Sequence, residues 1–134
     1  MKIEEMLQHA KEARELSYSP YSKYAVGAVI VTKDDKFFYG ANIENAAYPS
    51  GICAERCALF HTYMHGYKKE DIVALCLVAD SELFPYPCGA CRQVIDELMP
   101  KDAKIIVGNL ENKYMETSIR ELLPYSFDSA NLEK

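Results

Sequence analysis

The spacing of three cysteines limits the folds open to this chain more than any other feature. Cys53 stands two residues before Glu55, and Cys88 and Cys91 form a Cys-x-x-Cys pair well downstream. If one ion takes all three thiolates, the fold must bring both segments together. Each segment reads as a loop entering a helix. Tyr48-Pro49-Ser50-Gly51 precedes a helix from about Cys53 to His65. A loop over Ser81 to Pro87 precedes another running to about Met99, with Pro87 in its first turn. Helix N-termini carry partial positive charge and free N–H groups, which stabilise thiolates. Cys88 and Cys91, three apart, share a helix face, whereas residues two apart such as Cys53 and Glu55 do not. Both of the latter reach one ion only if it lies off the helix end. The site is therefore expected at the mouth of two helices, not along a groove between them.

Three thiolates leave one of the four positions of zinc open, as in a catalytic centre. Glu55, beside the first ligand, is free to move protons without binding the metal. Three thiolates also leave the ion with a net charge of about −1, which weakens it as a Lewis acid. Arg56 is expected to donate hydrogen bonds to the sulfurs and withdraw part of that charge. Arg92 reads as a structural or interface salt bridge. A different reading stays open: Cys53 and Cys57 with Cys88 and Cys91 would make a closed, four-cysteine structural zinc. Cys57 leads into Ala58-Leu59-Phe60 and also reads as a small buried hydrophobe, as does Cys76 within Leu75-Cys76-Leu77.

The rest of the chain supplies the scaffold. Apolar residues from Ile3 to Leu16 recur at helical spacing, and Ser19-Pro20-Tyr21-Ser22 ends that helix. Tyr24 to Thr32 reads as a strand, Lys33 to Lys36 as a turn, and Phe37 to Glu44 as the returning strand of a hairpin. Ile72 to Ala79 is a nearly continuous apolar run, so a buried strand. Lys104 to Gly108 is a further strand. A turn over Asn109 to Lys113 leads to a short strand at Tyr114 to Thr117, and a short helix over Ser118 to Leu123 stops at Pro124. The pattern predicts an α/β fold, a three-layer α/β/α sandwich around a mixed sheet of about five strands. At 134 residues, 49% hydrophobic, the chain suits one domain over 1–134 with a core that needs no disulfide.

Charge and cysteine usage narrow the partners. A formal net charge of −5 with scattered Lys and Arg argues against a nucleic-acid surface and favours a small substrate. Five cysteines, an odd number, suit a reducing compartment and a metal. The first residues form a charged amphipathic stretch, and no apolar run is long enough to span a bilayer. The expected location is cytoplasmic. His9 falls on the polar side of the first helix. His61 and His65 lie near the C-terminal end of theirs, far from Cys53, which suits a solvated or dipole-compensating role.

Cys53-Ala54-Glu55-Arg56 and Pro87-Cys88-Gly89-Ala90-Cys91-Arg92-Gln93-Val94 resemble the small homotetrameric cytidine deaminases. So do Asn42-Ile43-Glu44-Asn45-Ala46, Ser19-Pro20-Tyr21-Ser22-Lys23, Val26-Gly27-Ala28 and Glu121-Leu122-Leu123-Pro124. The resemblance covers nearly the whole chain. It implies hydrolysis of a cyclic amidine C–N bond: cytidine and deoxycytidine become uridine and deoxyuridine with release of ammonia, a reaction of pyrimidine salvage. One Zn²⁺ per subunit is implied, held by Cys53, Cys88 and Cys91, with Glu55 as the proton shuttle. Asn42 and Glu44, two apart at a strand end and so on one side, are implied to bind the ribose 3′-hydroxyl. Backbone groups around Ala54 and Cys88 are implied to meet the amine or the reacting oxygen. Tyr24 stands where the family has Phe, and its ring is expected on the sugar or base. Phe127 is implied to stack on the base of a neighbouring subunit's site, and Tyr48 to lie at a subunit junction, in a homotetramer with shared sites. Two alternatives remain: a deaminase of an aminated cytosine nucleoside of the blasticidin S type, against which Asn42-Ile43-Glu44 argues, and a non-enzymatic structural-zinc domain.

Overall fold

A computed structural model describes residues 1–132. Its elements run α1 (Ile3–Arg14), β1 (Val26–Thr32), β2 (Phe37–Ala41), α2 (Ala54–Met64), β3 (Ile72–Ala79), α3 (Gly89–Leu98), β4 (Lys104–Asn109), β5 (Tyr114–Thr117) and α4 (Ile119–Leu122). The five strands form one sheet in the order β2-β1-β3-β4-β5. The β3–β4 pair is parallel and the other three pairs are antiparallel, so the sheet is mixed as expected.

Side chains that alternate along the strands supply two cores. Ala28, Ile30, Leu75, Leu77, Ile105 and Val107 point to one face, where Ala54, Ala58 and Leu59 of α2 and Ile95 of α3 meet them. Val29, Val31, Ala74, Cys76, Val78 and Ile106 point to the other, where Met6, Leu7 and Ala10 of α1 cover them. This is the three-layer α/β/α arrangement. β3 is buried on both faces, which is why it reads as an unbroken apolar run.

Two glycines set how close the helices sit. A Cβ at Gly27 would lie 2.0 Å from Ala10 O, and one at Gly40 would lie 2.3 Å from Ala58 N. The backbones of α1 and α2 therefore rest directly on the β1–β2 hairpin, one on each face.

Several boundaries differ from expectation. β2 ends at Ala41, three residues early, because Ile43 leaves the hairpin. Ile43 bridges instead to Tyr18 and to Ile52. Pro87 does not occupy the first turn of α3: Cys88, with extended φ and ψ, is the N-cap, and Pro87 precedes it. Arg92 forms no salt bridge among the described residues. Its guanidinium donates to the carbonyls of Pro87 and Leu122, tying α3 to its own entry loop and to α4. His9 is half-buried, stacked 3.9 Å from the Phe37 ring.

Candidate metal centre

Cys53 is the N-cap of α2 and Cys88 the N-cap of α3, while Cys91 lies in the first turn of α3. Because β3 and β4 are parallel neighbours, the chain crosses between them through α3 on the same sheet face as α2. The two helix starts then converge. The three sulfurs lie within 4.8 Å of one another, with Cys53 Sγ and Cys88 Sγ 4.0 Å apart. Tetrahedral zinc with bonds of about 2.3 Å places its sulfurs ~3.8 Å apart. The donor set and its spacing thus fit zinc. The cluster lies off the helix ends, as residues two apart require.

Cys57 stands outside this group. It is half-buried, one turn further along α2, and its N–H donates to Cys53 O. The four-cysteine closed site is not assembled. Cys76 is fully buried in β3, and burial pushes its thiol up to about 12.

Glu55 is 6% exposed beside the thiols. Burial, reinforced by the negative charge on Cys53, raises its carboxyl to about 7. The thiols share protons among themselves: a hydrogen bond from Cys91 favours the Cys53 thiolate, and the same bond holds the Cys91 thiol up. Arg56 Nη2 lies 3.8 Å from Cys53 Sγ, and its buried Nε has no partner among the described residues.

Next to the thiols lies a cavity of about 380 Å³ lined by Asn42, Glu44, Tyr48, Cys53 and Arg56, among others. An adjoining cavity of about 540 Å³ adds Tyr24, Glu55, Phe84 and Tyr86. Ala54, buried at the first position of α2, places its backbone beside Cys53. Asn42 Oδ1 accepts from Val26 N at 2.9 Å and Ser17 Oγ at 2.6 Å, and its Nδ2 donates to Tyr24 O at 2.8 Å. Glu44 Oε1 accepts from Tyr21 N and Ser22 N, both at 3.0 Å, and Oε2 accepts the Ser22 hydroxyl. Phe127 lines neither cavity of this chain. It is 60% exposed, with its carbonyl held by Gln93. Tyr48 is also largely exposed, edge-on to Tyr21.

Three lining residues escape the sequence reading. Ser22 belongs to the Ser19–Lys23 segment, whose resemblance to the family carries no role for Ser22 and whose turn otherwise reads as a helix breaker. Phe84 and Tyr86 lie in a segment that reads only as a loop. The signal was present, since two aromatics alternating with Pro85 and Pro87 are more than a solvated connection needs.

The family model described as the cytidine and deoxycytidylate deaminase zinc-binding region matches residues 1–108. A cytidine deaminase of Halalkalibacterium halodurans is 46% identical over 127 residues, 95% of each chain. One of Sporosarcina psychrophila is 41% identical over 132 residues, 98% of this chain and 96% of that protein. The crystal structure of a cytidine deaminase from Burkholderia pseudomallei matches with a TM-score of 0.92 and 41% identity, covering 95% of this chain and all of that one. With a shared fold along nearly the whole length, and with three thiols and an acid gathered where α2 and α3 begin, this chain belongs to the cytidine and deoxycytidylate deaminase family.

Proposed function

We infer that the protein is a zinc-dependent hydrolase that deaminates cytidine and deoxycytidine to uridine and deoxyuridine, releasing ammonia. The observation that carries this reading is a carboxyl, Glu55, buried against three convergent thiols with no fourth cysteine among them.

Cys53, Cys88 and Cys91 hold the ion. Bound there, zinc supplies a Lewis acid that makes water nucleophilic near neutral pH. Glu55 takes a proton from the attacking water and delivers it to N3 of the cytosine ring. C4 becomes tetrahedral as the C–O bond forms. Glu55 then carries the second proton to the departing amine, and the C4–N bond breaks. One carboxyl serves as base and then acid, which requires a pKa between those of a free carboxyl and the groups it serves. Arg56 draws charge from the Cys53 sulfur. The backbone at Ala54 and Cys88 meets the amine and the reacting oxygen.

Asn42 and Glu44 take a sugar hydroxyl, and Tyr24 lies along the same cavity. Tyr48 and Phe127, exposed in the single chain, fit a homotetramer in which a neighbouring copy closes each site. The whole of 1–134 acts as one catalytic domain. Its five free thiols suit the cytoplasm, and no helix among the described residues is long and apolar enough to cross a membrane.

Ammonia release from cytidine, deoxycytidine, cytosine, their phosphates and blasticidin S tests the reading. Turnover of the two nucleosides is expected. Turnover of blasticidin S alone, or of none, overturns it.

A further inference from the structure

Resting on that functional reading, we propose that Ser22 is the positioning residue of the sugar pocket, orienting Glu44 so that the pocket reads one hydroxyl. The turn after Pro20 is closed by its own backbone. Lys23 N donates to Ser19 O at 3.0 Å, and Lys23 adopts a left-handed φ of 61°. This closed turn aims two successive N–H groups, of Tyr21 and Ser22, at Glu44 Oε1. Successive backbone N–H groups turned to one side form an anion seat. The Ser22 hydroxyl completes it from the other side. Its oxygen accepts from Tyr24 N at 3.0 Å, so its own proton is directed to Glu44 Oε2.

The seat leaves few donors and acceptors over. An ionised carboxylate offers about four acceptor positions. Tyr21, Ser22 N and Ser22 Oγ occupy three, leaving one on Oε2. Asn42 is nearly spent as well. Its oxygen already has two donors, and one of its two amide hydrogens goes to Tyr24 O. The pair therefore presents one acceptor and one donor to the cavity. That is the complement of a single hydroxyl, which gives its proton to Glu44 and accepts from Asn42. A second sugar hydroxyl has nothing left to meet at this pair, so ribose and 2′-deoxyribose are equivalent here. Without the Ser22 hydroxyl, Oε2 is free to turn and the remaining acceptor loses its direction.

The test combines kinetics with a direct readout of Glu44. In Ser22→Ala, KM for cytidine and deoxycytidine should rise about tenfold, the scale of one hydrogen bond to a charged group, with kcat nearly unchanged and zinc content intact. A cytosine nucleoside lacking the 3′-hydroxyl should show no such rise. Ser22→Thr should restore KM, and Ser22→Ala should add nothing in a Glu44→Gln background. Independently, carboxyl NMR should find Glu44 titrating below its ordinary range. The Ser22 hydroxyl and the Ser22 and Tyr21 amides favour its ionised form, and the Lys23 charge adds to them. Ser22→Ala should move it upward. An equal KM rise for the 3′-deoxy substrate, an unchanged KM for cytidine, or an unmoved Glu44 titration overturns the proposal. If wild-type protein releases ammonia from no nucleoside, the functional reading fails, while the NMR titration still decides the Ser22–Glu44 link.

Discussion

Arg56 follows Glu55 in sequence, yet its guanidinium turns back past it, placing Nη2 3.8 Å from Cys53 Sγ. The acid and the base of this adjacent pair thus serve different ends of one centre. Glu55 lies buried beside the thiols, and Arg56 reaches the Cys53 sulfur. Arg56→Ala should lower zinc affinity about 10–100-fold, the usual effect of losing a group that supports metal ligands. Chelator competition on the purified protein measures it. Unchanged affinity and unchanged turnover would remove Arg56 from the centre.

Glu55→Gln keeps the shape of the side chain and removes its ability to take a proton. Folding and zinc content should be retained, and kcat should fall by at least ~10²–10⁴, the usual scale of a general acid–base contribution. Metal analysis alongside steady-state kinetics checks both halves. A near-normal rate would reassign the proton transfer.

The same carboxyl predicts how pH acts on metal-free protein. Folding raises Glu55 from 4.5 to about 7. Between those values the folded chain holds a proton that the unfolded chain has released. The stability this represents is complete below pH 4.5 and is lost as pH rises through about 7. Burying the charged form at pH 8 then costs about 3 kcal/mol relative to acid. The Cys53 thiolate acts in the opposite sense, since its pKa is lowered on folding and its contribution grows with pH. Comparing chelator-treated wild type with Glu55→Gln by urea unfolding isolates the first effect. The variant should be the more stable of the two at pH 8, and the difference should shrink toward pH 5.

Gly27 and Gly40 offer a paired test of what positions the metal ligands. Alanine at either drives a Cβ into backbone, of α1 at Gly27 and of α2 at Gly40. Each should destabilise the fold by about 1–3 kcal/mol, the usual cost of overpacking. Only Gly40→Ala shifts the helix that carries Cys53 and Glu55, so only it should also weaken zinc binding by the folded protein. Equal zinc affinities for the two folded variants would contradict this division.

Cys57→Ser separates an open centre from a closed one. With Cys57 outside the sulfur cluster, the variant should keep one zinc per chain and most of its activity. Loss of the metal would reinstate the four-cysteine site.

Much of this was legible in the residues, and what was not has a common cause. β3 is readable because an eight-residue apolar stretch has few other places to go. The convergence of Cys53 with Cys88 and Cys91 is readable because a shared metal would require it. The end of β2 is not. Asn42-Ile43-Glu44 continues the alternation of a strand, but Ile43 finds its partners in Tyr18 and Ile52, from loops on either side. The role of Ser22 is hidden for a related reason. A serine in a turn is ordinary, and its meaning comes from a carboxylate 22 residues further along the chain. Phe84 and Tyr86 line the cavity only because the loop after β3 folds back toward α2. Local pattern reveals an element's type, while the partners of a loop depend on the completed sheet.

The parallel pairing of β3 with β4 has an effect beyond placing the ligands. Helix α3 is the crossover that this pairing demands, so an ion gripping both helix starts acts as a rivet between early and late parts of the polypeptide. A nascent chain that has made only α2 cannot close the grip. Metal scarcity should then show itself as fewer surviving molecules, and not only as idle ones.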